Sequence, residues 1–517
     1  MRRAHFGIGT LLILLVLVVS GSSLGTRTDY DPDRGIITLP EPASPFIAFN
    51  IWVKAGSQND PEGKEGLAAI TASLLAGGST TEDSYEQIRS KLYPMAAGYG
   101  YRVDKEMTAF TGRVHRDNLE AYYTLFNNAL LKPAFSQEDF ERIKSQTLNF
   151  VERGRLYGRD EELTKELLFS MVYRGTPYEH PAEGYVESVR SITLDDVRAF
   201  YESVYLRNNL VVGIGGGYPR GFADRVRGDF DALPAGEMTP VPAPEPRMPE
   251  GVKVLIVEKA TDATPISMGF PMDLLRGDED FWAMMAFNSW MGEHRNSFGN
   301  LYQVIRETRG MNYGDYSYIE AFPLGYTTQQ PPVNVGRRSQ LFEIWIRPIS
   351  NTTPTNLHER VLFATRAAMR EVAKVVDEDL PAEEVERTRN FLWNFTVNWG
   401  NTISRRLAYA VDDVFYGLPE PGYLANIRPG LETLTPEGVN QAIRTHIQTE
   451  NLWIVLITRD ALNLQRTLVQ RVPTGITYPG PRPEAVLAED REIASFPIAV
   501  QADDIIIMDI SEVYQRK

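Results

Sequence analysis

The sequence predicts an α+β fold made of one unit used twice, and three observations carry that expectation. Two segments recur at nearly one spacing. FSQEDFERIKSQTLNF from Phe135 returns as LPAEEVERTRNFLWNF from Leu380, an offset of 245. ITLDDVRAFYESVYLRNNLVVGIGG around Thr193 returns as LTPEGVNQAIRTHIQTENLWIVLITR around Thr435, an offset of 242. Between the copies lies a proline-rich stretch, Pro234 through Pro240, Pro242, Pro244, Pro246 and Pro249, which cannot form helix or central strand and reads as an extended linker. Within each half, strand-like runs alternate with long helical patterns, the order of antiparallel sheets with helices on one face. The expected divisions are 1–24, 25–233, the linker 234–250, and 251–517.

The chain opens with Arg2 and Arg3, an apolar run from Leu11 to Val19, and the small residues Ser20, Gly21, Ser22 and Ser23. This is the pattern of a secretory signal peptide, over residues 1–24. Counted from Phe6 the stretch is about 14 residues, short of the roughly 20 of a membrane-spanning helix. An uncleaved signal anchor is the alternative. The protein is therefore expected to be exported, to a periplasm or extracellular space, with no transmembrane span beyond the signal.

IAFNIWVKAG reads as a strand and GLAAITASLLAG as a small-residue helix closing at Gly77-Gly78. EMTAFTGRV alternates with period two, as a strand does, and NLEAYYTLFNNALL is an amphipathic helix. Each copy of the first repeat reads as a helix start, with Ser136 as N-cap and Pro381 as first helical residue. Each copy of the second reads as a capped helix, a polar turn with Asn, and a β-branched strand, Leu210–Ile214 or Leu452–Ile457. In the second half EDFWAMMAFNSWMG reads as a buried helix, LFEIWIRPI as a strand, and NLHERVLFATRAAMREVAKVV as a long helix.

Composition narrows the function. The 53 Lys and Arg stand against 68 Asp and Glu, a net charge of −15, so nucleic-acid binding through a basic face is not expected. The absence of cysteine excludes disulfides, thiolate catalysis, Cys-ligated zinc and iron–sulfur clusters. Only six histidines remain: His5, His115, His180, His294, His358 and His446. No two lie three or four residues apart, so no helix offers a pair of imidazoles to a metal.

VKAGSQNDPEGKEGLAAITASLLAGGST, TPYEHPAEGYVESVRSITLDDVRAFY and SFGNLYQVIRETRGMNYGDYSY resemble the pitrilysin/insulinase family of zinc metallopeptidases, the inverzincins, and especially the branch like mitochondrial processing peptidase. The likeness covers nearly all of the expected mature chain. It implies two homologous α+β halves, and a clamshell in which two such chains close around a peptide. Family peptidases carry H-x-x-E-H on the first long helix, with a further Glu ligand about 75 residues on; zinc then keeps an open position for water. Here the window reads Ala69-Ile70-Thr71-Ala72-Ser73, so Ala69, Ala72 and Ser73 stand where His, Glu and His would be. The downstream window holds Asn149, Phe150 and Glu152. No zinc or other cofactor is expected in this chain. His180 and His294 are expected to be structural, His294 as a helix cap.

The resemblance also covers SFGNLYQVIRETRGMNYG, in which the family places an Arg and a Tyr seven residues apart, here Arg306 and Tyr313. It implies that both side chains reach across the closed chamber and stabilise charge developing on the substrate carbonyl, as oxyanion donors do. The alternative is that Arg306 pairs with Glu307 or Glu320 and Tyr313 packs in core. VGIGGGYP at Gly213 to Gly217 is not a dinucleotide fingerprint, since Pro219 follows and no βαβ unit surrounds it; it reads as a turn after a strand. Segment 326–340, with Arg337-Arg338, reads as an irregular loop lining the chamber, touching a partner, or simply crossing the surface. Two functions stay open. The first is the non-catalytic subunit of a heterodimeric zinc peptidase of the cell envelope, with zinc in a homologous partner and a peptide or unfolded polypeptide as substrate. The second is a non-proteolytic binding or scaffold protein on the same fold. An autonomous peptidase with a displaced site is disfavoured, because no replacement His pair exists.

Overall fold

The computed structural model describes residues 28–323, 329–349 and 354–515; the expected signal segment 1–24 lies outside them. Among these residues the strands form two six-stranded sheets. The first contains β1 (Asp29–Asp31), β2 (Ile36–Pro40), β3 (Phe46–Val53), β4 (Gly98–Val103), β5 (Thr108–His115) and β6 (Leu210–Gly216), in the order β1-β2-β6-β3-β5-β4. The second contains β7 (Val252–Glu258), β8 (Ile266–Met272), β9 (Asn312–Tyr318), β10 (Gln340–Pro348), β11 (Leu452–Thr458) and β12 (Ile505–Asp509), in the order β12-β7-β11-β8-β10-β9. Without the outermost strand of each, the orders are one topology written twice. β2 and β6 pair in parallel, as do β7 and β11. The three strands that follow are antiparallel in both sheets. The sheets are thus mostly antiparallel, as expected, with parallel pairing added towards one edge of each. A parallel neighbour needs a long crossover, and the repeated helix–strand unit is the last part of that crossover.

The capping chemistry of the repeats is in place. Ser136 Oγ accepts from Asp139 N at 3.2 Å at the start of helix Gln137–Asn149. Thr193 and Thr435 cap helices Leu194–Val204 and Pro436–His446 in the same way, at 3.2 and 3.1 Å. Pro381 takes the cap position itself, so helix Ala382–Phe395 starts one residue later than expected.

One face of the first sheet buries Phe49, Ile51 and Val212 under Tyr122, Phe126 and Ile70 of helices Leu119–Leu131 and Leu67–Gly77. The second sheet is covered likewise by helices Phe281–Gly292 and Pro354–Glu378. The expectation of helices on one face only is incomplete. Helix Asp160–Val172, from the first half, lays Leu163, Leu167 and Leu168 on Leu255, Val257 and Val455 of the second sheet. Helix Ile403–Tyr416, from the second half, lays Ile403, Leu407 and Val411 on Ile37, Trp52 and Val211 of the first. The halves exchange one helix each. Full burial of one such aliphatic side chain is worth about 1.5–3 kcal/mol, so the exchange fastens the two cores together.

This exchange corrects the reading of the glycine run. Gly213, Gly215 and Gly216 lie within β6, not in a turn after it. A Cβ on Gly213 would stand 2.8 Å from the Asn50 carbonyl and 3.3 Å from Leu407 Cδ1, and one on Gly215 would stand 3.1 Å from Ile403 Cδ1. The glycines give the exchanged helix its seat. No helix among the described residues is long and apolar enough to cross a membrane.

A buried ionic seam completes the junction. Arg337 holds Asp104 through Nε and a terminal nitrogen at 2.6 and 3.0 Å, and Arg338 holds Glu106. Lys105 Nζ donates to the His180 carbonyl at 2.6 Å and approaches Glu166 at 3.4 Å, while Arg155 bridges Glu166 and Glu183 at 3.2 and 2.7 Å. Arg337-Arg338 therefore turns inward, onto the other half of its own chain. The rest of segment 326–340 lies partly outside the described residues, at 326–328.

Candidate functional site: a peptidase helix without ligands

Helix Leu67–Gly77 begins where both oxygens of Asp60 accept backbone amides, from Gly66 and Ala68, at 2.7 Å each. Small residues let it press against helix Gln137–Asn149 and the sheet. Ala69 is 8% exposed and Ala72 is sealed at 0%. Ser73 is half-buried and hydrogen-bonds the Tyr101 hydroxyl of β4. Two methyl groups and a hydroxyl already engaged by a phenol offer zinc no anionic or imidazole donor. In the downstream window Asn149 ends its helix, Phe150 stacks against Arg155 and Arg159, and Glu152 accepts from Arg190 at 2.6 Å. A zinc ion does not fit this donor set. Among the described residues no three His, Asp or Glu side chains are grouped as metal ligands.

The histidines are dispersed. His115, His358 and His446 face Asp117, Asp460 and Asp280 at 3.3, 3.7 and 2.9 Å. His294 does not cap a helix; it is buried, with Nδ1 2.8 Å from the Tyr318 hydroxyl. His180 is buried in a turn, and His5 lies outside the described residues.

Arg306 sits on the short π-helical segment Tyr302–Glu307, half-buried, with its guanidinium 4.8 Å above the Tyr302 ring and within electrostatic reach of Asp315. Of the two acids considered as its partners, Glu320 is bound by Arg276 at 2.8 Å, and Glu307 bonds Tyr302. Tyr313 lies in β9, the outer edge of its sheet, where the register with β10 slips between Pro348↔Asn312 and Ile346↔Asp315. Its side chain lies outside the described atoms. The two residues flank the turn at Gly310, which has φ +64.

Arg309 fixes this turn, and the sequence reading missed it. Its side chain is fully buried, donating from Nε to Asp490 at 2.8 Å, and from the terminal nitrogens to Glu489 and the Val304 carbonyl at 2.6 and 2.7 Å. Helix Glu484–Ser495 supplies both acids. No local signal in the sequence pointed to it, because the partners stand some 180 residues away.

The pattern of the insulinase peptidases (peptidase family M16) matches residues 36–184, and that of the peptidase M16 inactive domain matches residues 191–392. Together they span well over half of the chain, in the order of its two halves. The chain belongs to the insulinase (M16) peptidase family. It is 26% identical over 324 residues to an uncharacterised zinc protease of Streptomyces coelicolor, covering 59% of this chain and 67% of that one. It is 21% identical over 459 residues to a non-peptidase homologue of Helicobacter pylori, covering 87% and 97%. A solved peptidase M16 inactive domain from Pseudomonas fluorescens shares the fold, with a TM-score of 0.71 at 21% identity over 84% of this chain and 98% of its own. This M16 chain thus keeps the duplicated fold while the first-half helix lacks the ligand residues of the family motif.

Proposed function

We propose that this chain is the non-catalytic member of a two-chain zinc peptidase of the cell envelope. It contributes half of a chamber for a peptide or unfolded polypeptide, and Arg306 with Tyr313, to a homologous partner that carries the zinc. One contrast supports this reading. The motif helix has lost every donor, while the Arg306 turn is held by a guanidinium with no solvent exposure and two acids from a distant helix. A segment with no remaining task would not need so costly an anchor, since a buried guanidinium is tolerated only when well paired. Among the described residues β4, beside the motif helix, is the last strand of its sheet, and that edge suits an extended peptide laid down as a further strand.

The scaffold reading keeps one specific support. The stacking of Arg306 on Tyr302, close to Asp315, gives Arg306 a structural use that needs no substrate. Purification of the chain alone, and with a homologue that retains H-x-x-E-H, separates the two. We expect no stoichiometric zinc on the isolated chain, and one zinc with chelator-sensitive cleavage on a heterodimer burying more than roughly 1,200 Å2. Separate monomers in sedimentation at micromolar concentration would favour the scaffold. One zinc per isolated chain, surviving dialysis, would overturn the subunit proposal altogether.

A further inference from the structure

A cavity of about 60 Å3 lies inside the second half, between helix Phe281–Gly292, the stretch that follows β9, and the turn that follows helix Ala382–Phe395. At about 10–15 Å3 per water it has room for roughly four to six waters, or for a ligand of a few non-hydrogen atoms. None of Ala69, Ala72, Ser73 and Arg306 lines it, so it stands apart from the site proposed above. Met285 and Ile319 supply apolar wall, and the exposed Gln329 forms its rim.

Two donors in this wall lack an acceptor. Trp399 is 2% exposed, and its Nε1 makes no hydrogen bond among the described residues. Arg276 is 6% exposed, and its Nε donates to Glu320 at 2.8 Å. Its Nη1 makes no hydrogen bond among the described residues and stands 3.5 Å from Asp412. Tyr423 brings the two side chains together. The guanidinium lies 4.7 Å from the Tyr423 ring centroid, and the Trp399 ring lies nearly parallel to that ring, with centroids 6.4 Å apart. Indole and guanidinium nitrogens only donate. A buried donor without an acceptor costs free energy until a bound group supplies one. The same wall carries two carboxyls, Glu293 and Glu320. Burial pushes Glu293 up to about 7, so negative charge is already unfavourable beside it.

The occupant therefore has to accept hydrogen bonds without adding an anion, and it can donate to the carboxyls. We propose that this cavity binds a primary amide group, its carbonyl oxygen accepting from Trp399 Nε1 and Arg276, its nitrogen donating to the Glu293 and Glu320 carboxyls, and its apolar end resting on Met285 and Ile319. An amide joins an acceptor and two donors in one neutral group. A carboxylate of the same size only accepts, and it adds a charge. An ammonium only donates, and it leaves Trp399 and Arg276 without acceptors. A free small amide and the Asn or Gln side chain of a polypeptide both provide this chemistry.

Saturation-transfer NMR of the whole chain with acetamide, against acetate of the same size, tests the site. We expect a millimolar Kd for acetamide, as befits a ligand of so few non-hydrogen atoms, and at least about fivefold weaker binding of acetate. With the tryptophans labelled by 15N, acetamide should shift an indole N–H resonance that Trp399→Phe removes. Trp399→Phe should also weaken acetamide about fivefold or more through loss of one donor. If that variant does not fold, Ala321→Leu decides: Ala321 is half-buried in the same wall, and the larger side chain should weaken acetamide by at least as much. Acetyl-Gly-Asn-Gly N-methylamide, against its Ala counterpart, is the second probe. Asn-dependent binding identifies a polypeptide side chain as the source, and binding of acetamide alone identifies a free amide. Acetamide binding no tighter than acetate, or unchanged in the variant that folds, overturns the proposal and leaves a cavity filled by water.

Discussion

Ala72, which the sequence resemblance puts at the position of the family's general base, is packed without any solvent exposure. Restoring the motif by substitution alone should therefore fail twice. Ala69→His, Ala72→Glu and Ser73→His together insert large polar groups into a close-packed face; overpacking alone costs about 1–3 kcal/mol, and an unpaired buried carboxylate adds to it. We expect a lower melting temperature and no stoichiometric zinc in metal analysis; tight binding of one zinc with unchanged stability would show that the site is merely unligated and otherwise intact. Arg309 is the opposite case, a residue whose charge is wholly compensated. Asp490→Asn should leave the guanidinium with one fewer anionic partner and destabilise the chain by about 3–5 kcal/mol, the usual cost of breaking a buried pair. Unfolding by denaturant measures it, and a change below about 0.5 kcal/mol would mean that the Arg306 turn is held by other contacts.

The repeated helices and strands were readable along the chain because caps and β-branched runs are local signals. Thr193 and Thr435 announce their helices within four residues. The helix exchange was not readable, since Ile403 and Leu407 meet β-strand residues more than 180 positions away. Its one trace was the glycine run of β6, which resembles a turn until the space above it is seen to be filled. The inward Arg337-Arg338 pair was hidden for the same reason: its anions, Asp104 and Glu106, belong to the other half. At the candidate site, the substituted motif lies in five consecutive residues and could be read directly, whereas the anchor of Arg306 depends on a helix that only folding brings close. Two substitutions test these elements. Gly213→Ala should destabilise by about 1–3 kcal/mol, because its methyl would meet the Asn50 carbonyl at 2.8 Å. Arg337→Ala strands buried Asp104 and should cost about 3–5 kcal/mol. A neutral outcome for both, read from chemical denaturation, would mean that the halves are joined less tightly than their contacts indicate.

At the scale of the whole molecule, two kinds of carboxyl oppose each other in their response to pH. Burial would raise Glu166, but Lys105, Arg155 and Arg337 outweigh it and hold it down to about 2. An unfolded Glu titrates near 4.3. The unfolded chain thus binds more protons between about pH 4.3 and 2, and the stability from Glu166 is present above that window and lost as pH falls through it. Glu293 behaves oppositely: burial pushes it up to about 7, with only Ser289 to oppose the shift. Its folded form binds the extra proton between about 4.3 and 7, so its contribution grows as pH falls through that range and is lost as pH rises. We expect the melting temperature to peak near pH 5 and to decline on both sides, with Glu293→Gln flattening the neutral limb. A melting temperature that climbs steadily from pH 5 to 8 would contradict this.

The proposal that this chain works on a partner's metal rests on the duplicated fold, the absence of His and Glu from helix Leu67–Gly77 and the anchored Arg306 turn. The most direct measurement is the turnover of the complex reconstituted with the zinc-bearing homologue, comparing wild type with Arg306→Ala and Tyr313→Phe. Loss of one oxyanion donor costs about 2.7–4 kcal/mol, or roughly 10²–10³ in rate. We expect falls of that size in kcat for both variants, with assembly unchanged and Arg306→Lys only partly active, since a point charge does not replace the planar fork. Turnover within about twofold of wild type for both Arg306→Ala and Tyr313→Phe would contradict the proposed role.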